Sequence, residues 1–255
     1  MFALATLVFA ACSDDHAISD GNSDVVTDPS GDAWVALNIK TPAAVTRGLN
    51  TPNQENAITG EYEIEDVKAI FFDGDQDASL VTKVIDLSTG SGDLTSSGAS
   101  SSSKAFQIPA TSKTILIIAN PGAGFSSVGE GSSFVDVNKA VKDESITTSV
   151  AKTGTFLMTN SKGHLEPSDN SGNTINLTLY KSQDVAVKNP LAIYIDRVVA
   201  KVRVYTSDGA MDNSTASIYS PKWILNVTNK WYYPVSRRIK TWNEDPANTP
   251  DARGT

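Results

Sequence analysis

Few side chains in this sequence could carry out acid–base or nucleophilic chemistry. The chain has one cysteine, Cys12, and two histidines, His16 and His164, which lie far apart. A single cysteine excludes both a disulfide framework and a cysteine-built zinc site. Both histidines lie in polar, turn-rich stretches, where side chains are expected to be solvated. The sequence therefore predicts no catalytic residue, no metal site and no cofactor.

One acidic run resembles the beginning of a calcium-binding loop. Asp73, Asp75 and Asp77 have the alternate spacing of the first EF-hand ligands. The loop glycine and the final glutamate are missing, because Ala78 and Val84 occupy those positions. We therefore interpret the run as a polar turn between two strands.

Composition and charge narrow the range of possible functions further. The 255 residues are 40% hydrophobic and 20% charged, which suits a globular protein with a buried core. The net charge of −8 argues against a nucleic-acid partner. No apolar run approaches the roughly 20 residues that span a bilayer. Most classes of enzyme are disfavoured.

The N-terminus has the pattern of an export signal. Residues 2–11 (FALATLVFAA) are apolar and too short to span a membrane, so residues 1–11 are predicted to be a signal peptide. Small residues precede Cys12 directly, as in a bacterial lipobox, and Cys12 is the predicted lipidation site. The alternative is an ordinary signal followed by a free or buried cysteine. Residues 12–32 are acidic and turn-rich, which predicts a flexible tether.

The first predicted strand covers residues 33–40. Val35, Leu37 and Ile39 alternate there with smaller or polar residues, the period of a half-buried strand. Further strands are predicted at 64–72, 80–87, 105–108, 113–119, 155–159, 174–180, 184–187 and 192–205.

Only residues 133–143 have the pattern of a helix, and the serine-rich stretch 88–103 is predicted to be a loop. Many short strands and one helix predict an all-β sandwich with the helix in a connection. We assign residues 48–215 to this domain. A new strand pattern begins near residue 221 but too few residues follow it, so 216–255 is predicted to be the beginning of a second, incomplete β domain.

Arg47 is distinctive by position, since it is the only arginine in the first 196 residues. It lies in a Pro- and Thr-rich stretch just after the first predicted strand. One interpretation is an ordinary loop arginine. The other is a cut site for an Arg-specific protease, which would make residues 33–47 a removable first strand and its linker. Loss of that strand would open an apolar groove, which a strand from another chain could fill to build a filament.

The order of these features resembles the fimbrillins of Bacteroidales, the subunits of type V pili, and most closely the minor-fimbrium (Mfa-type) shaft subunit. The resemblance rests on the lipobox at Cys12, VALNIKTP at 35–42, TRGLN around Arg47, ITGEYEIEDVKAIFF at 58–72, FLMTN at 156–160, DRVVAKVRV at 196–204 and KWILNVTNKWYYPV at 222–235.

The resemblance implies a transthyretin-like Greek-key sandwich, exported as a lipoprotein to the cell outer membrane and later part of an extracellular fimbrium. An Arg-specific surface protease is expected to cut between Arg47 and Gly48. Val35, Leu37 and Ile39 would be the core contacts of the displaced strand, and a donor strand of the next subunit would replace it. Shaft subunits of that family also have a complete second domain with a C-terminal donor strand. By this comparison the sequence is predicted to be a C-terminally truncated fragment, the alternative being a shortened relative that cannot donate a strand.

Two other functions stay open. The chain could be a lipid-anchored adhesin, or a fimbrial tip or anchor protein, that is not cleaved and binds a host or bacterial surface ligand. The aromatic residues of 223–233 could stack on sugars in that case, although core packing explains them better. The weakest alternative is a secreted hydrolase, which only the abundance of acidic residues supports.

Overall fold

A computed structural model of the chain describes residues 24–41, 62–76, 78–122, 125–138, 155–160 and 177–198. It also gives the backbone of three short strands at 141–142, 151–152 and 231–232. Of the sequence features above, Cys12, His16, Arg47, Gly48 and His164 lie outside the described residues.

The described elements are almost all strands. The strands are β1 (Asp32–Val35), β2 (Leu37–Lys40), β3 (Asp66–Phe72), β4 (Val81–Ser88), β5 (Leu94–Ser97), β6 (Ser100–Ser103), β7 (Phe106–Pro109), β8 (Thr114–Ala119), β9 (Val141–Lys142), β10 (Ala151–Lys152), β11 (Thr155–Phe156), β12 (Met158–Thr159), β13 (Leu191–Tyr194), β14 (Asp196–Arg197) and β15 (Trp231–Tyr232). Two short helices, α1 (Phe134–Val137) and α2 (Gln183–Lys188), lie in connections.

One sheet has five strands in the order β14-β12-β8-β3-β4, and every neighbouring pair in it is antiparallel. All six residues of β8 are buried, as its uninterrupted apolar sequence TILIIA predicts. The side chain of buried Asn160 extends the sheet beside β8. It accepts a hydrogen bond from the Ile117 amide at 2.8 Å and donates one to the Ile115 carbonyl at 2.9 Å.

A second sheet has four strands in the order β13-β2-β6-β5. Strand β2 pairs antiparallel with β6 and parallel with β13, so it lies inside the sheet and has a partner on each side. Strand β1 comes just before β2 but pairs instead with β7.

The largest apolar cluster lies between the two sheets. It joins side chains of β3 and β8 to side chains of β1, β2, β5 and β13: Ala69, Phe71, Ile115, Ile117, Ala33, Val35, Leu37, Ile39, Leu94 and Ile193. Two sheets packed face to face over a shared core are a β-sandwich. The predicted all-β sandwich is therefore confirmed, whereas the finer transthyretin-like Greek-key assignment stays a prediction.

The other face of the five-stranded sheet is covered by a connection rather than by water. Ile70, Phe72, Leu116 and Ile118 point to this face and pack with Phe125, Val137 and Leu157. The connection 125–138 contains α1, whose N-cap Ser133 accepts a hydrogen bond from the Asp136 amide. Burial on both faces explains why strands β3 and β8 end in continuous apolar runs.

The prediction of a single helix over 133–143 is wrong in extent and in number. Helix α1 ends at Val137, and Val141–Lys142 within the predicted helix is strand β9. The predicted strand 184–187 is helix α2. Ser182 caps it by accepting from the Val185 amide, and the Asn189 side chain donates to the Val185 carbonyl, so local polar groups outweigh the β-branched valines.

The predicted loop at 88–103 is wrong over half its length. Strands β5 and β6 form a hairpin there, with the register Leu94↔Ser103 to Ser97↔Ser100. Gly98 at the turn has φ +60°, the left-handed conformation that a two-residue hairpin turn needs. The sequence does not predict these two strands because their serine-rich residues show no apolar alternation. Backbone hydrogen bonds between β6 and β2 place the hairpin in the sheet.

The remaining strand predictions hold in part. Residues 64–72, 80–87, 105–108 and 113–119 overlap β3, β4, β7 and β8 to within one residue at their C-terminal ends, whereas 33–40 is two strands instead of one. Within 174–180 the described part shows only an isolated bridge at Tyr180. In the predicted second domain, β15 pairs antiparallel with β9, and the rest of 216–255 lies outside the described residues.

Candidate functional site

The candidate site is the N-terminal segment 24–41, which carries β1 and β2. Val35, Leu37 and Ile39 face the core and have 0% exposure, and Ala33 extends the same buried row. Burying each of the three large side chains contributes about 1.5–3 kcal/mol relative to leaving it in water. The sequence alternation had predicted this inward row. Here it fills the middle of the sandwich.

The backbone of β2 is held from both sides. On one side Ala36 accepts from the Leu191 amide at 2.8 Å and Lys40 accepts from the Ile195 amide at 3.0 Å. On the other side the Leu37 amide donates to the Ser103 hydroxyl at 2.9 Å. Removal of β2 would therefore leave two facing strand edges, one on β13 and one on β6, with an apolar floor between them.

The same segment is also the backbone partner of residues 179–181. The Trp34 amide donates to the Tyr180 carbonyl at 2.7 Å, and the Tyr180 amide donates to the Trp34 carbonyl at 2.9 Å. Nearer the N-terminus, Val26 donates to Leu179 and the Lys181 amide donates to Asp24, both at 2.9 Å. Residues 24–32, the end of the predicted tether, thus reach the body of the domain through these bonds.

On the outer face of β1 and β2, Ala36 is the one buried residue in the part of the chain that the structure describes. Ala36 is 2% exposed and packs with Ala105 and with Ala186 of helix α2, which is 0% exposed. Trp34 and Tyr180 pack at the margin of this small cluster. We call these three alanines the alanine cluster. No alternation of large residues marks it, so the sequence did not predict it.

Further along the outer face the contacts are polar and partly open. Asn38 accepts a hydrogen bond from the Ser100 hydroxyl at 2.6 Å. The Lys40 ammonium lies 5.3 Å from the ring centre of Tyr194 and 3.4 Å from its hydroxyl oxygen. These side chains flank the C-terminal end of β2, next to Thr41, where the described segment 24–41 ends.

Titratable groups give no sign of catalysis in the described part of the chain. A hydrogen bond from the Ser91 hydroxyl lowers the pKa of Asp93, and the backbone amide of Ser30 lowers that of Asp28. A hydrogen bond to Glu130 raises the pKa of Lys83. All three groups lie at the surface, and among the described residues no cluster of acids, histidines and cysteines could hold a metal ion. Asp73 instead accepts from the Leu80 amide in the turn between β3 and β4.

A family model described as "Major fimbrial subunit protein (FimA)" matches residues 35–194, well over half of the chain. The chain belongs to this fimbrial subunit family. The FimA family is structural rather than enzymatic, and its subunits are components of surface fimbriae. The match confirms the predicted fimbrillin family, while the finer resemblance to the minor-fimbrium shaft subunit stays a prediction.

Among solved structures, a fimbrial assembly protein from Parabacteroides distasonis ATCC 8503 is similar, with 12% sequence identity and a TM-score of 0.36. The similarity covers 66% of this chain and 52% of that chain, so this chain spans about half the length of the solved relative. No curated protein matches. In the part of the chain that the structure describes, neither helix has the length and apolar character to cross a bilayer.

Proposed function

We propose that the chain is a fimbrial subunit precursor that exchanges its first strands for a strand of a neighbouring subunit. In this proposal the chain is exported as a lipoprotein anchored through Cys12. An Arg-specific protease then cuts between Arg47 and Gly48, and the segment that carries β1 and β2 leaves. Subunits join head to tail as each vacated groove accepts a partner strand.

The observation that carries the proposal is the place of β2 inside its sheet. A removable segment at a sheet edge would leave the fold nearly intact. Here its departure separates β13 from β6, takes Leu37 and Ile39 out of the core and uncovers the core side chains that packed against them. The lost burial is a large part of the roughly 5–15 kcal/mol that stabilises a typical domain, so a trimmed subunit is weakened and a replacement strand would restore its stability.

The N-terminus of mature protein from the cell surface tests the proposal. Mass spectrometry is expected to find chains that begin at Gly48. Arg47→Ala and Arg47→Lys should both abolish that terminus and leave a lipidated monomer, because only arginine suits the protease. Thr46→Ala, which keeps the arginine, is the matched control and should still be processed.

Two results would overturn the proposal. One is normal filament formation by the Arg47→Ala chain. The other is a mature protein that begins at acylated Cys12, since the groove would then stay filled by its own strands. That second result would favour the lipid-anchored adhesin or anchor protein instead.

A further inference from the structure

The groove that β1 and β2 would leave restricts the size of a side chain on its outer side and takes large apolar side chains on its inner side. The inner side takes large apolar residues at Val35, Leu37 and Ile39, as any sandwich core would. On the outer side, the alanine cluster holds Ala36 at 2% exposure. Asn38 and Lys40, which point to the same side, are only half-buried.

A backbone hydrogen bond to the neighbouring strand fixes the position of Ala36. The Ala36 carbonyl accepts from the Leu191 amide at 2.8 Å, and Leu191 begins strand β13 directly after helix α2. One short connection therefore sets both the strand that pairs with β2 and the helix that covers it. Ser182 and Asn189 cap the two ends of α2, which holds Ala186 over the strand.

We infer that the incoming strand must carry a small residue, alanine, glycine or serine, at the place of Ala36. The partner is then an extended segment of another fimbrial subunit. It carries large apolar residues at the places of Val35 and Leu37, which flank the small residue, and at the place of Ile39. This inference rests on the proposed function and adds a requirement to it. A larger side chain at that place would meet Ala105 and Ala186, and overpacking of a closed site weakens binding by roughly tenfold or more.

Labelled peptides test the requirement. The protein is the full chain with a site for a sequence-specific protease inserted between Arg47 and Gly48, cut so that its own segment can be displaced. The probes are the peptide of residues 32–41 (DAWVALNIKT), its Ala36→Leu variant, and its Asp32→Leu variant as a matched control at an exposed position of the same face. Fluorescence anisotropy measures their affinities.

We expect the unchanged and Asp32→Leu peptides to bind within about threefold of each other and the Ala36→Leu peptide to bind at least about tenfold more weakly. Equal binding of the two leucine variants would overturn the inference and leave strand exchange standing, because it would mean that α2 moves aside. Failure of the unchanged peptide to enter the cut protein would instead overturn strand exchange itself.

Discussion

At the scale of single residues, the buried row on β1 and β2 ties the N-terminal segment to the core. Ile39 is fully buried and has Ser101 and Ile193 as its register partners on the two neighbouring strands. Its side chain therefore contributes to the stability of the unprocessed chain and would be lost with the segment.

Ile39→Ala in the full chain should lower the free energy of unfolding by about 2–5 kcal/mol, because it leaves a cavity between two sheets. Urea unfolding followed by circular dichroism measures the change. Val187→Ala, at a side chain that is 54% exposed on α2, is the control and should change stability by less than about 0.5 kcal/mol. Equal effects of the two substitutions would contradict the position assigned to β2.

Asn160 is a residue whose role is visible only in the structure. Its side-chain amide is buried and bonds to the backbone of Ile115 and Ile117, next to the two residues of β12 that pair with β8. Asn160→Ala should cost about 2–4 kcal/mol of unfolding free energy, since it leaves an amide and a carbonyl of β8 unpaired. Asn189→Ala, which removes an exposed bond on α2, should cost much less in the same denaturation experiment. A mild effect at Asn160 would mean that water takes over both bonds.

The sequence could reveal some of these residues and not others. Val35, Leu37 and Ile39 are large and alternate, so their burial was predictable from periodicity. Ala36 and Asn160 are small or polar, and their burial depends on elements far away in the chain, α2 and β8. Cys12 and Arg47 were recognised from sequence alone, and their roles stay predictions.

At the scale of elements, the serine-rich hairpin β5–β6 forms one wall of the candidate groove. Its serines bond to β2 through backbone and hydroxyl groups, as Ser103 does to Leu37 and Ser100 to Asn38. A polar strand edge has little tendency to aggregate when its partner leaves, in contrast to an apolar edge. The sequence predicts a loop here because a serine-rich composition indicates low strand propensity. The strands form nevertheless, because their backbone groups pair with neighbouring strands.

Gly98 tests whether the hairpin is built as described. Gly98→Ala should destabilise the domain by about 1 kcal/mol, because φ +60° is strained for a residue with a Cβ. Gly129→Ala makes the same change at a residue whose φ lies outside the left-handed region, and it should be neutral or slightly stabilising, since no atom lies within 4 Å of the added Cβ at either glycine. Thermal unfolding of the two variants decides the matter, and a neutral Gly98→Ala would argue for a different turn.

At the scale of the whole molecule, one terminal segment holds separate parts of the domain together. Residues 24–41 bond to 179–181, to β7, to β6 and to β13. The five-stranded sheet includes no strand of this segment, and its β8 is buried on both faces. Processing should therefore loosen one side of the sandwich and spare the other.

Hydrogen exchange followed by mass spectrometry can map that division. After cleavage between residues 47 and 48 and removal of the segment, amides of Tyr180 and Lys181 should exchange at least about tenfold faster, because Trp34 and Asp24 no longer accept from them. Amides of β8 at Ile115–Ile118 are the internal control and should stay protected. Uniform deprotection would show that the trimmed domain unfolds as a whole.

The parallel pairing of β2 with β13 also has a consequence for the order in which the chain folds. Lys40 and Tyr194 are register partners although 154 residues separate them. Contacts of such high sequence separation form slowly, since a long loop must close before they stabilise anything. During synthesis and export β2 emerges early and can pair with β6 well before β13 is made. The pairing of β2 with β13 is therefore completed late in folding, and it is one of the pairings that the proposed assembly would break first.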